Sequence, residues 1–283
     1  MVKIFLKIEF SRAFLKWQTL IAFLIFIFVF IHISINTRAD IPMNYSEIYQ
    51  LELGNPFIIY LEGIGGFASY MPFLLPLIIM FIIGDSLYKD YKTGFLQFNL
   101  TRISYKKFIF YKTIATSIVS GIITFLFQLC AFIYSIITSP YHLPTNTSLE
   151  LNIAPSSSTD IYLNNPYIYI LLTILVLVSV AMTFSIVGLI SSSLFKNSFS
   201  VIGVPWVIYL IASQVFIFLA PEINYILYYM SPIRMVGPFM FDYEQNIMLV
   251  LLYWTLLFII LFFISRLLFV KKFKSGSWLV KFN

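Results

Sequence analysis

The sequence predicts an all-α polytopic membrane protein, and three observations point there. Hydrophobic residues make up 60% of the 283 positions and charged residues 11%, less than half the roughly 25% typical of a soluble domain. Mean hydropathy is +0.91. Six uncharged apolar runs divide the chain, each close to the ~20 residues that cross a bilayer as a helix. None alternates polar with apolar residues as a barrel strand would. The same apolar and aromatic content excludes disorder.

Residues 2–16 come first and read as a basic interfacial helix. Ile4, Ile8 and Leu15 can share one face, with Lys3, Lys7 and Ser11 on another, and such a helix meets anionic lipid. A cytoplasmic extension of the first span is the alternative. The spans follow at about 17–35, 67–84, 114–137, 167–189, 199–219 and 247–264, free of Asp, Glu, Lys and Arg. The first is expected to be a retained helix and not a cleaved signal, since its apolar stretch exceeds the usual signal core and no small-residue cleavage site follows. Pro72 and Pro76 lie one turn apart in the second and are expected to kink it.

Charge sets the orientation. With both termini cytoplasmic, 16 of the 18 Lys and Arg fall inside, leaving only Arg38 and Arg234 outside. The reverse topology inverts that count and violates the positive-inside rule. Nine of the 12 acidic residues then lie outside.

The external segments differ in character. Residues 36–66 are acidic, with Gly63, Gly65 and Gly66 before the second span and Glu62 near a boundary. A surface carboxylate beside a turn is the simpler reading of Glu62; an intramembrane carboxylate would suggest ion coupling. Residues 139–165 carry no Lys or Arg and are rich in Ser, Thr, Asn and Pro, and so read as a weakly ordered linker. Asn44-Tyr45-Ser46 and Asn146-Thr147-Ser148 are sequons on the external side. Residues 220–246 hold Pro221, Pro232 and Pro238 around an aromatic stretch. They are read either as short helices dipping into the outer leaflet, broken at Ser231-Pro232 and Gly237-Pro238, or as a plain loop.

Chemistry-bearing motifs are sparse. There is no phosphate-cradling G-x-x-x-x-G-K-[ST], no H-E-x-x-H and no G-x-S-x-G. Two histidines, His32 and His142, and one cysteine, Cys130, leave no metal or disulfide framework. Ser191-Ser192-Ser193 reads as a helix end. Catalytic, cofactor and metal residues are therefore not expected on this chain.

The informative stretch is 85–112, DSLYKDYKTGFLQFNLTRISYKKFIFYK. Leu87, Tyr88 and Tyr91 mix with Lys89, Asp90 and Lys92, which predicts a short amphipathic helix stopped by Gly94. A second, basic helix starts near Ser104. Aromatic and basic residues here can dock a cytosolic partner, or the stretch is a solvated basic loop.

Six spans, internal termini, the basic N-terminal helix and the pattern Asp90, Gly94, Arg102 and Lys112 resemble the permease subunit of a type-2 ATP-binding-cassette (ABC) exporter over nearly the whole chain. Where such permeases often carry Glu, this chain has Asp90, and the long 139–165 segment is not a general feature. The resemblance implies a transport subunit that is not itself an enzyme, with ATP and Mg bound on a separate cytosolic ABC ATPase. It implies an assembly of two permeases and two ATPases in a bacterial cell membrane, in contact with lipid and not with nucleic acid. It also implies a cytoplasmic coupling loop, for which Tyr88, Tyr91, Gly94, Arg102 and Lys107 are the ATPase-contact candidates, and re-entrant helices in 220–246. An amphipathic or hydrophobic cargo, such as an antimicrobial peptide or drug, fits uncharged aromatic spans. The alternatives are an ion-coupled secondary transporter, which would need ionisable residues within the spans, or another polytopic membrane protein.

Overall fold

The computed structural model describes residues 2–39, 41, 46–66, 69–150, 154–237 and 246–274, which form helices and connections with no strand among them. In chain order the helices are α1 (Val2–Phe14), α2 (Trp17–Ala39), α3 (Glu47–Leu53), α4 (Pro56–Gly65), α5 (Met71–Ile79), a π-helical turn (Met80–Gly84), α6 (Ser86–Lys92), α7 (Phe95–Leu100), α8 (Tyr105–Thr138), α9 (Thr147–Glu150), α10 (Thr159–Asn164), α11 (Pro166–Leu194), α12 (Ser198–Leu219), α13 (Ile226–Tyr229), α14 (Pro232–Val236) and α15 (Ile247–Lys274). Six helical stretches are long and apolar enough to cross a membrane: α2, 71–92, α8, α11, α12 and α15. This is the architecture of an all-α polytopic membrane protein.

Burial separates centre from rim. The most apolar windows of 71–92, α8 and α11 are 72%, 61% and 67% buried, against 33%, 22% and 17% for α2, α12 and α15. The central contact is between α8 and α11. On α8, Thr113, Thr116, Ser117, Ser120, Gly121 and Thr124 recur at three- and four-residue spacing and are all buried. This is the small, hydroxyl-bearing stripe that lets apolar helices approach closely. Ser117 and Ser185 share a hydrogen bond at 3.0 Å, and Ser120 donates to the Ala181 carbonyl at 3.2 Å. Farther along, the π-helical turn presses on α11. A Cβ on Gly188 would lie 2.6 Å from the Gly84 Cα, and Ser192 donates to the Gly84 carbonyl at 2.9 Å.

Several expectations change in detail. The second long helix begins at Met71, not 67, and residues 67 and 68 lie outside the described set. Pro72 therefore opens α5, where its missing N–H costs nothing, and only Pro76 sits inside it. The third span and the basic helix before it are one 34-residue helix. On α1, the face that packs against the bundle is Phe5, Glu9 and Ala13, spaced four apart; Ile4 and Leu15 are exposed. The 139–165 segment is not a bare linker. It carries α9 and α10, and buries Ser148 and Tyr162 completely.

At the end of the bundle away from α1, α14 packs into the core through Ile233, Met235 and Val236, whereas α13 buries none of its residues. Gly237, following α14, approaches both Gly65 of α4 and Pro72 of α5, with 3.3 Å and 2.9 Å left for a Cβ. Trp254 donates to the Met235 carbonyl at 2.8 Å, and Ser231 to the Ser213 carbonyl at 3.0 Å. Tyr209 donates to the Pro72 carbonyl at 2.8 Å. The 238–245 part of the loop lies outside the described residues.

Candidate functional site

At the α1 end, three helices bring four charged side chains together. Glu9 comes from α1, Asp90 from α6 and Lys112 from α8, and each is at most 4% exposed. Arg12, one turn beyond Glu9, reaches in from the edge. An ammonium carries three donors, and all three on Lys112 are used: Glu9 Oε1 at 2.7 Å, Asp90 Oδ2 at 2.6 Å and Ser86 Oγ at 2.6 Å. The Ser86 hydroxyl in turn donates to Glu9 Oε2 at 2.8 Å. Arg12 donates to Asp90 Oδ1 and lies 3.6 Å from Glu9. Its guanidinium also stacks 4.3 Å from the centre of the Phe95 ring, so α7 joins the assembly.

The cluster is electrically balanced, two carboxylates against two cations. Buried charges persist when they are paired and hydrogen-bonded in this way. Burial pushes the Glu9 carboxyl up, but the Lys112 charge, hydrogen bonds from Lys112 and Ser86, and Arg12 together outweigh it and hold Glu9 below the usual carboxylate range. A second polar group lies alongside. Lys89 pairs with the buried Asp85 at 2.7 Å and donates to Gln18 at 3.0 Å, while Ser198 at the start of α12 donates to Asp85 at 3.0 Å. Lys16, in the α1–α2 connection, is held below the usual lysine range by its burial and by nearby Lys89.

The candidate contact residues distribute unevenly around this core. Tyr91 is half-buried and packs on the small apolar cluster of Phe5, Leu87, Leu96, Phe108 and neighbours. Tyr88 is half-buried too. Gly94 has φ +74°, a left-handed conformation that glycine adopts without cost, and it turns the chain from α6 into α7. Arg102 is exposed, 4.4 Å over the Phe98 ring. Lys107 is exposed on the first turns of α8. Arg102 and Lys107 do not enter the charge cluster, whereas Asp90 and Lys112 do. Glu9 and Arg12 were not singled out from the sequence. Their signal is an acidic residue, alone in a basic helix, one turn before an arginine.

The opposite end has its own buried carboxylate. Glu52 of α3 is fully buried and accepts from Ser148 Oγ at 2.8 Å, from the Thr145 amide at 3.2 Å and from the Thr145 hydroxyl, with His142 Nε2 at 3.3 Å. It pins the 139–150 segment to the bundle. Glu62 is half-buried, and its carboxylate makes no hydrogen bond or ion pair among the described residues. His32 is exposed, as is Cys130. No group of three or more His, Cys, Asp and Glu is arranged for a metal among the described residues.

No model of a known protein family matches the chain, and no curated protein is similar to it in sequence.

Proposed function

We propose that this chain is the membrane-spanning permease subunit of a bacterial ABC exporter, moving an amphipathic or hydrophobic cargo and driven by ATP hydrolysis on a separate cytosolic subunit. The observation that carries the reading is the Glu9–Asp90–Lys112 cluster. α6 is the two-turn end of the 71–92 stretch, and its Asp90 is bonded directly into α8 and, through Arg12, into α1. A partner that displaces α6 and α7 therefore moves the long helices with them. A solvated basic linker would not be built around a fully donated, buried lysine.

In this reading both termini and the 85–112 segment face the cytoplasm, as the basic residues suggest. Tyr88, Arg102 and Lys107, on the exposed side of the cluster, meet the ATPase; Tyr91 and Gly94 shape the segment that presents them. The 220–246 segment is re-entrant from the external side. Support comes from the α14 bonds to Ser213 and Trp254, each several residues inside its long helix. Two such permeases with two ATPases complete the transporter.

The test is reconstitution of the purified chain in liposomes, alone and with a cytosolic ABC ATPase that co-purifies with it. The expected result is no ATP turnover alone, turnover with the partner, and weakened complex formation for Tyr88→Ala. Turnover by the isolated chain, or no complex with any such ATPase, overturns the proposal.

A further inference from the structure

A cleft of about 370 Å³ opens between α8 and α15 at the α1 end of the bundle, lined by Lys106, Ile109, Phe263, Arg266, Leu267 and Val270. The lining follows from helical spacing. Lys106 and Ile109 are three apart on α8, and Phe263, Arg266, Leu267 and Val270 fall on one face of α15. Among the described residues, two cations line the cleft and no carboxylate does. Arg12, Lys89 and Lys112 at this end each pair with Glu or Asp, whereas Arg102 and Lys107 are exposed and unpaired with a carboxylate among the described residues. Lys106 and Arg266 have no such pairing among the described residues. Arg266 is nonetheless held in place, its guanidinium 5.2 Å from the Phe110 ring centre and 6.0 Å from that of Phe262. Below the charges the wall is hydrocarbon. Phe263 is 57% and Leu267 72% exposed, and they continue the exposed apolar face of α15 through Leu256, Ile259 and Ile260.

A held guanidinium and an exposed ammonium beside an open apolar wall are the complement of one amphiphile with an anionic head. We propose that this cleft is a binding site for an anionic phospholipid, with the phosphate between Lys106 and Arg266 and an acyl chain along Phe263 and Leu267. Basic pockets between spans hold phosphate headgroups in this manner, and the guanidinium fork suits a phosphate's paired oxygens. The inference rests only on the chain lying in a bilayer, and stands or falls apart from the export reading.

The experiment is native mass spectrometry of the delipidated, purified protein titrated with phosphatidylglycerol or with phosphatidylcholine of the same chains. Wild type is expected to retain phosphatidylglycerol selectively. Lys106→Gln with Arg266→Gln should weaken retention roughly 30-fold, on the usual scale for two basic residues at a membrane surface. Lys92→Gln with Arg102→Gln, an equal charge change at exposed positions outside the cleft, should retain it. Val270→Trp fills the cleft with both charges intact and should also lose the lipid, which keeps the test decisive if the double variant folds poorly. Equal retention of the two lipids by wild type, equal loss in the variant changed at Lys92 and Arg102, or full retention by Val270→Trp overturns the proposal. Displacement by glycerol phosphate at concentrations comparable to the lipid also overturns it, reducing the cleft to a site for a free phosphate.

Discussion

Glu9 and Lys112 are 103 positions apart in sequence and 2.7 Å apart in space. Their contact joins α1 to the 34-residue α8, and with Asp90 it draws three helix ends into one polar node inside an apolar bundle.

Removing the lysine should be far worse than removing the node. Lys112→Met leaves Glu9 and Asp90 buried without their shared donor, a change that typically costs about 3–5 kcal/mol. Glu9→Gln, Asp90→Asn and Lys112→Met together should recover most of that loss, because no carboxylate is then stranded. Thermal unfolding in detergent reads both. Equal stability of Lys112→Met and wild type would show that the node contributes nothing.

The node should resist neutral pH and fail in acid. The Glu9 carboxyl is held below its ordinary value, so its stabilising contribution is complete above the unfolded-state pKa near 4.3 and is lost as pH falls through the lower folded value. A melting-temperature profile should be flat from pH 7 to 5 on this account and drop below about 4.3. Glu9→Gln should flatten part of that drop.

The helix contact at Gly84 and Gly188 should be asymmetric. A Cβ on Gly188 meets the backbone of Gly84 at 2.6 Å, whereas one on Gly84 finds its tightest neighbour, the Met80 Cβ, at 3.3 Å. Gly188→Ala must push two helices apart and should cost about 1–3 kcal/mol; Gly84→Ala should cost less. Denaturation midpoints in detergent decide the order.

Sidedness can be read at two exposed positions. In a Cys130→Ser background, Asp160→Cys should react with an impermeant thiol reagent from outside intact cells, and Lys107→Cys only after permeabilisation. Labelling of position 107 from outside would reverse the topology. Ser148 is a poor reporter, since its hydroxyl is buried against Glu52.

Helix existence was legible because apolar length alone announces a span, and Gly94 and Ser104 marked their breaks by ordinary turn chemistry. What stayed hidden was pairing. Nothing local to Lys112 distinguishes it from Lys106 or Lys107. Its burial depends on Glu9 and Asp90, which arrive from distant segments. The same holds at Glu52, whose partners Thr145 and Ser148 lie in a stretch whose composition resembles a loose linker. The lipid-facing or protein-facing side of α1 was equally illegible, because Phe5 and Ala13 are no more apolar than Ile4 and Leu15. Among the candidate contact residues, Gly94 followed from a stated backbone requirement, whereas Arg102 and Lys107 were carried by charge, which does not locate a side chain.

The order in which the node's members appear along the chain has a bearing on biogenesis. Glu9, Arg12, Ser86 and Asp90 all precede Lys112. On a ribosome adding about 5–20 residues per second, every counter-charge is therefore already synthesised when the lysine emerges at the head of α8. The nascent helix can bury its cation as soon as it enters the bilayer, without waiting for the three long helices that follow. A chain halted after residue 150 would hold the whole node and the Glu52 tether as well, so these two polar assemblies can form before the second half is made.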